Sequence, residues 1–188
     1  MTTSVAGTRY VVDTRTSQFT VQAFASGLIS VIAHSPKIAI RDWSGTVQMV
    51  SGSLEGAPLK VRVKPASLEV LDELADADRR ELHRVMNKEV LETADFPEIT
   101  YDGTMAAERL KEDLYRLNVR GRLSLHGITN DQDFVAQASL GVDSARAYGS
   151  FTLLQSDYNI RIASIAGGTL KLQDELKFSF YVVARKAD

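Results

Sequence analysis

Apolar and polar residues alternate with period two along most of this chain, as they do in strands that bury one face. In Leu59-Lys60-Val61-Arg62-Val63-Lys64 the apolar residues share one face and three cations the other. The longest run covers 115–127, where Tyr115, Leu117, Val119, Gly121, Leu123 and Leu125 oppose Arg116, Asn118, Arg120, Arg122, Ser124 and His126. Its length predicts a bent or coiled strand. Near the C-terminus Leu176, Phe178, Phe180, Val182 and Ala184 alternate with Lys177, Ser179, Tyr181, Val183 and Arg185, and Phe19, Val21 and Ala23 begin a similar series near the N-terminus. Further strands are expected over 9–13, 37–43, 46–50, 99–103, 134–142, 147–153 and 168–172, with 1–8 a flexible N-terminus.

A single helix is predicted, over 76–92. Leu82, Val85, Met86 and Val90 form its apolar stripe, and Asp78 with Glu81 three residues on makes a capping box. Pro97 then forces Phe96 into extended backbone and starts the next strand. About ten strands and one helix, with no βαβ alternation, define a mainly β protein, an antiparallel sandwich or barrel in one domain over 1–188. Alternation alone does not say whether the lumen of such a barrel is filled. Gly121, Gly127, Gly149, Ala136 and Ala138 leave room for a ligand, and they equally suit tight corners and close packing.

Composition narrows the function classes. The formal net charge of -2 provides no cationic field for a phosphate backbone, so nucleic acid is not an expected partner. The absence of cysteine removes disulfides, thiolate metal sites and thiol catalysis together. Residues 16–36 carry no charged side chain, but Thr16, Ser17, Gln18, Thr20, Gln22, Ser26 and Ser30 interrupt them, which argues against a membrane span. The opening MTTSVAGTRY has neither the basic nor the apolar region of a secretory signal, so a cytoplasmic location is expected.

His34, His83 and His126 show no ligand spacing to one another, and no metal or other cofactor is expected. His126, before Gly127, reads as a turn-bonding side chain, while His34 adjoins the apolar segment 27–33 and could meet a polar head group. Arg41 and Asp42 could form a pair at a barrel mouth. Glu89 falls in the apolar stripe of the helix and needs a cationic partner, expected from an Arg across the barrel. Arg80, Arg84 and Lys88 recur every four residues as a solvated face.

Seven stretches stand out in order along the chain: Tyr10-Val11-Val12-Asp13, Ser17-Gln18-Phe19-Thr20-Val21, Ala33-His34-Ser35, Ile40-Arg41-Asp42-Trp43-Ser44-Gly45, Asp95-Phe96-Pro97-Glu98-Ile99-Thr100-Tyr101, Gly121-Arg122-Leu123-Ser124-Leu125-His126-Gly127-Ile128-Thr129 and Leu172-Gln173-Asp174-Glu175-Leu176-Lys177-Phe178. Together they resemble the YceI-like family of lipid-binding and polyisoprenoid-binding proteins. The resemblance implies an extended, lipocalin-like antiparallel β-barrel with one α-helix packed at its side, no catalytic motif, and an apolar pore for an isoprenoid quinone, a polyprenyl chain or a fatty acyl lipid. The ligand-binding residues expected on this reading are Phe19, Val21, Phe24, Leu28, Ile29, Ile32, His34, Ile38, Ile40, Trp43, Leu82 and Met86. From its own residues, apolar but without alternation, segment 27–33 is expected to form a movable lip over the barrel mouth that admits the chain and could touch the membrane supplying it; the competing reading is a buried strand or plug in the core. Transient membrane contact and a homodimer both stay open. Two other classes are compatible with the pattern: an enzyme using His34, Asp42 and His126 on a lipid-like or small aromatic substrate, and a filled barrel acting as an interaction module.

Overall fold

The computed structural model describes residues 7–26, 36–50, 52–162, 164–165 and 170–187. In chain order the strands are β1 (Gly7–Val12), β2 (Gln18–Ser26), β3 (Lys37–Ile40), β4 (Trp43–Val50), β5 (Pro58–Val63), β6 (Leu68–Val70), β7 (Ile99–Arg109), β8 (Leu114–Leu125), β9 (Ile128–Asp131), β10 (Phe134–Leu140), β11 (Ser144–Leu154), β12 (Ser164–Ile165) and β13 (Leu170–Lys186). Between β6 and β7 lies helix α1 (Asp76–Val85), which continues as a wider π-type turn over Met86–Val90.

Hydrogen-bonded neighbours run β1-β4-β5-β7-β8-β10-β11-β13, and β13 pairs back with β1, so eight antiparallel strands close on themselves. Closure leaves no free edge in this ring. At 17 residues β13 outruns the strands beside it. Its C-terminal end pairs with β1 through Ala184, Arg185 and Lys186, while its earlier part pairs with β2, from which β3 and β6 extend the sheet. The sequence divides this strand into two pieces. A register shift between Leu172 and Leu176 explains the break in alternation without ending the pairing. The seam is stitched where the Asp13 amide donates to the Val183 carbonyl at 2.8 Å and the Arg185 guanidinium to the Asp13 carboxylate at 3.1 Å. The same guanidinium holds the Asp13 carboxyl below its ordinary range, although burial works the other way.

Several expectations are corrected. β1 begins at Gly7, so Gly7 and Thr8 belong to a strand and not to a loose terminus. Stretch 37–43 is two strands, broken at Arg41 and Asp42. These two do not pair with each other: Arg41 Nε donates to Glu69 at 2.6 Å and Lys64 Nζ to Asp42 at 2.7 Å. Helix α1 is capped by Ala75 without a side-chain hydrogen bond, so the expected box of Asp78 and Glu81 is absent, and Glu81 accepts from Arg84 instead. Glu89 is exposed and meets Arg84 of its own helix at 2.8 Å. The cause is the π-type turn, which rotates the positions after Met86 away from the phase that a uniform α-helix would keep.

Candidate functional site

The alternation of the ring strands turns one apolar series from each into the lumen. Leu117, Val119, Leu123 and Leu125 come from β8, Ala136 and Ala138 from β10, and Met105 and Tyr101 from β7. Together with β2, β3, β6 and the helix they surround a cavity of about 290 Å³, at the low end of the roughly 300–1,000 Å³ usual for small-molecule sites. The lining follows β11 from Ala145 through Ala147, Phe151 and Leu153 to Gln155, so the cavity runs along the strands and does not lie between two of them. Leu82, Val85 and Met86 close it from the helix side. Aromatic rings form a connected group around it: Trp43 meets Phe19 edge-on with centroids 5.4 Å apart, Phe151 stacks on Phe178 at 4.8 Å, and Phe134 lies 5.5 Å from Phe151.

Of the residues expected to bind ligand, Phe19, Val21, Ile38, Ile40, Trp43, Leu82 and Met86 line this cavity. Phe24 does not, because Phe19, Val21 and Ala23 point inward and period two turns Phe24 to the other face. Leu28, Ile29, Ile32, His34 and the whole proposed lip over 27–33 lie outside the described residues.

The glycines that could leave the lumen empty at their positions are occupied by rings from other residues. Gly103 and Gly121 are cross-strand partners, and a Cβ on Gly121 would stand 2.6 Å from the ring and hydroxyl of Tyr101. A Cβ on Gly149 would stand 2.7 Å from the ring of Phe180. The Tyr101 hydroxyl donates to the Gln132 carbonyl at 2.9 Å. Burial pushes the Tyr101 phenol well above its ordinary value, and the Asp133 carboxylate adds to the effect. Tyr158 moves in the same direction, through burial first and then Asp157. An unfolded tyrosine ionises near pH 10 while the buried phenol keeps its proton, so this contribution is intact below about pH 10 and is lost as the pH rises above it. Urea unfolding across that range should show falling stability, with a shallower fall in Tyr101→Phe; equal slopes in the two proteins would contradict the assignment.

His126 is a turn residue, with Nδ1 3.2 Å from the Tyr158 carbonyl and Nε2 2.8 Å from the Glu92 carboxylate. Its ring packs on Phe96 with centroids 4.3 Å apart. Both His126 and Glu92 take left-handed backbone, at φ 50 and 44, which for non-glycine residues is kept only where surroundings enforce it. Their contact ties the segment after the helix to the β8–β9 turn. His126→Ala should therefore cost about 1–2 kcal/mol in chemical denaturation, and an unchanged midpoint would remove the latch. His83 is exposed beside Asn87 on the helix. Neither Asp42 nor His126 lines the cavity, and its described lining holds no carboxylate or imidazole. No group of three or more His, Asp or Glu among the described residues could hold a metal ion, and no helix among them is long and apolar enough to cross a membrane.

A closed antiparallel barrel with an apolar lumen and one helix against its wall defines the class. Residues 10–184 match the model of the YceI-like domain, and the chain belongs to that family. Among solved structures it resembles BcnA of Burkholderia cenocepacia, with 16% identity, 92% of this chain and 98% of that one covered, and a TM-score of 0.70. It also resembles a polyisoprenoid binding domain from Saccharophagus degradans implicated in plant cell wall breakdown, with 13% identity, 95% and 98% covered, and a TM-score of 0.70. The Campylobacter jejuni YceI protein follows at 15% identity, 83% and 88% covered, and a TM-score of 0.60. At such identities these likenesses concern the fold. No curated protein matches the sequence.

Proposed function

We propose that this protein binds one long apolar molecule, an isoprenoid or acyl chain, inside its barrel and carries or buffers it. The observation that supports this most is the elongated cavity of about 290 Å³ with an almost wholly apolar lining, in a chain of the YceI-like family. The likeness in fold to a domain described as polyisoprenoid-binding supports the same chemistry. The described lining offers no carboxylate or imidazole for acid–base catalysis, which favours binding over the enzymatic alternative.

Energetics set the kind of task. Withdrawing a chain from water yields about 0.8 kcal/mol per CH₂, but a bilayer yields nearly as much. Preference among ligands must then come from the shape of the lumen and from polar contacts to the head group. Exchange with a membrane requires only brief contact with its surface. Mass spectrometry of organic extracts from gently purified protein should recover about one equivalent of a chain lipid. Protein that carries none, and that takes up none from lipid vesicles, would refute the carrier reading.

A further inference from the structure

Gln155 is the one buried polar or charged residue among those described, at 4% exposure. Ala145, Ala147, Phe151 and Leu153 line the cavity from alternate positions of β11, and Gln155 is the next position in that series. The strand stops at Leu154 and Gln155–Tyr158 form a single 3-10 turn. This turn is held firmly: the Gln155 carbonyl accepts from the Ile160 amide at 3.1 Å, and the Ser156 amide donates to Asp174 at 2.8 Å.

The side-chain amide is oriented as well. Its Nε2 donates to the Gln173 carbonyl at 3.0 Å, which fixes which end of the amide is nitrogen. Its Oε1 accepts no hydrogen bond among the described residues. Oε1 thus has no partner among the described residues, and the space Gln155 borders is the cavity. A buried acceptor left unfilled in apolar surroundings is costly, and a donor from a bound molecule removes that cost.

We propose that Gln155 Oε1 accepts a hydrogen bond from the hydroxyl of the bound ligand, and so selects apolar chains that end in a hydroxyl over those whose polar end only accepts. Ethers, esters and quinone carbonyls bring a second acceptor against the first, whereas an alcohol or a hydroquinone brings a donor. This selectivity rests on the reading of the lumen as a chain-binding site, and the test separates the two.

Farnesol and farnesyl methyl ether share one chain and differ in that donor. Trp43, the single tryptophan of the sequence and a lining residue, reports their binding by its fluorescence. The wild-type protein should prefer farnesol roughly tenfold, and Gln155→Met should lose that preference. In the wild-type protein the side-chain amide resonances of Gln155 should also shift with farnesol and stay in place with the ether, a readout that does not depend on the variant folding. Equal affinity for the two ligands, a preference that survives in Gln155→Met, or unmoved Gln155 resonances would overturn the selectivity and leave chain binding standing. Failure of the wild-type protein to bind either ligand would overturn both.

Discussion

Gly121→Ala should be among the most damaging single methyl additions to this barrel, costing about 3 kcal/mol and lowering the thermal midpoint by roughly 6–12 °C. The new Cβ would stand 2.6 Å from the Asp102 carbonyl and 2.6 Å from the Tyr101 ring and hydroxyl. Tyr101 has little freedom to yield. Its hydroxyl is bonded to the Gln132 carbonyl at 2.9 Å, and its ring lies 5.6 Å from that of Phe134. Gly141→Ala, whose nearest contacts would be 3.3 and 3.4 Å from Ser144, is the mild control. Combining Gly121→Ala with Tyr101→Leu should recover part of the loss, because the ring clash disappears while the backbone clash stays. A neutral Gly121→Ala would mean that the Tyr101 ring does not lie across that glycine.

The second large effect concerns the lumen itself. Ala138 and Ala147 are cross-strand partners on β10 and β11, and both line the cavity. Replacing both with phenylalanine fills the lumen from two adjacent positions on one wall. Binding of a chain ligand should fall about a hundredfold or more, while stability holds or rises by up to about 2 kcal/mol as empty volume is taken up. In a lumen already filled by side chains, the same pair would cost about 1–3 kcal/mol for each insertion. Loss of binding together with loss of fold would therefore count against an open cavity.

Much of the barrel is legible in the sequence because strands with one buried face write their periodicity directly. β5, β8 and the start of β2 follow from alternation alone. The long β13 does not, since the register shift between Leu172 and Leu176 interrupts the pattern where pairing continues. Very short strands such as β6, with three residues, leave no period to detect. Glu89 is misplaced by a uniform helical period because the π-type turn over Met86–Val90 changes the phase. Arg41 and Asp42 are neighbours in sequence, and each finds its partner on a different segment, at Glu69 and Lys64.

The candidate site is legible only in part, for a related reason. Composition says that Gly121 and Gly149 are small, but only tertiary structure says that Tyr101 and Phe180 occupy the space they leave. Phe24 is apolar and adjoins a lining series, yet parity turns it outward. Gln155 escapes notice for the opposite reason: a polar residue at a strand end reads as exposed, although continuing the alternation of Ala145, Ala147, Phe151 and Leu153 by one step carries it inside.

Methyl resonances locate a bound chain most directly. Val21, Ile40, Met86 and Leu123 line the cavity, whereas Val135, Val142 and Leu154 are exposed. Adding one equivalent of farnesol should shift the first set, saturate at one ligand per chain and leave the second set in place. Shifts confined to the exposed methyls, or no shift in the lining methyls at saturating farnesol, would contradict a chain-binding lumen.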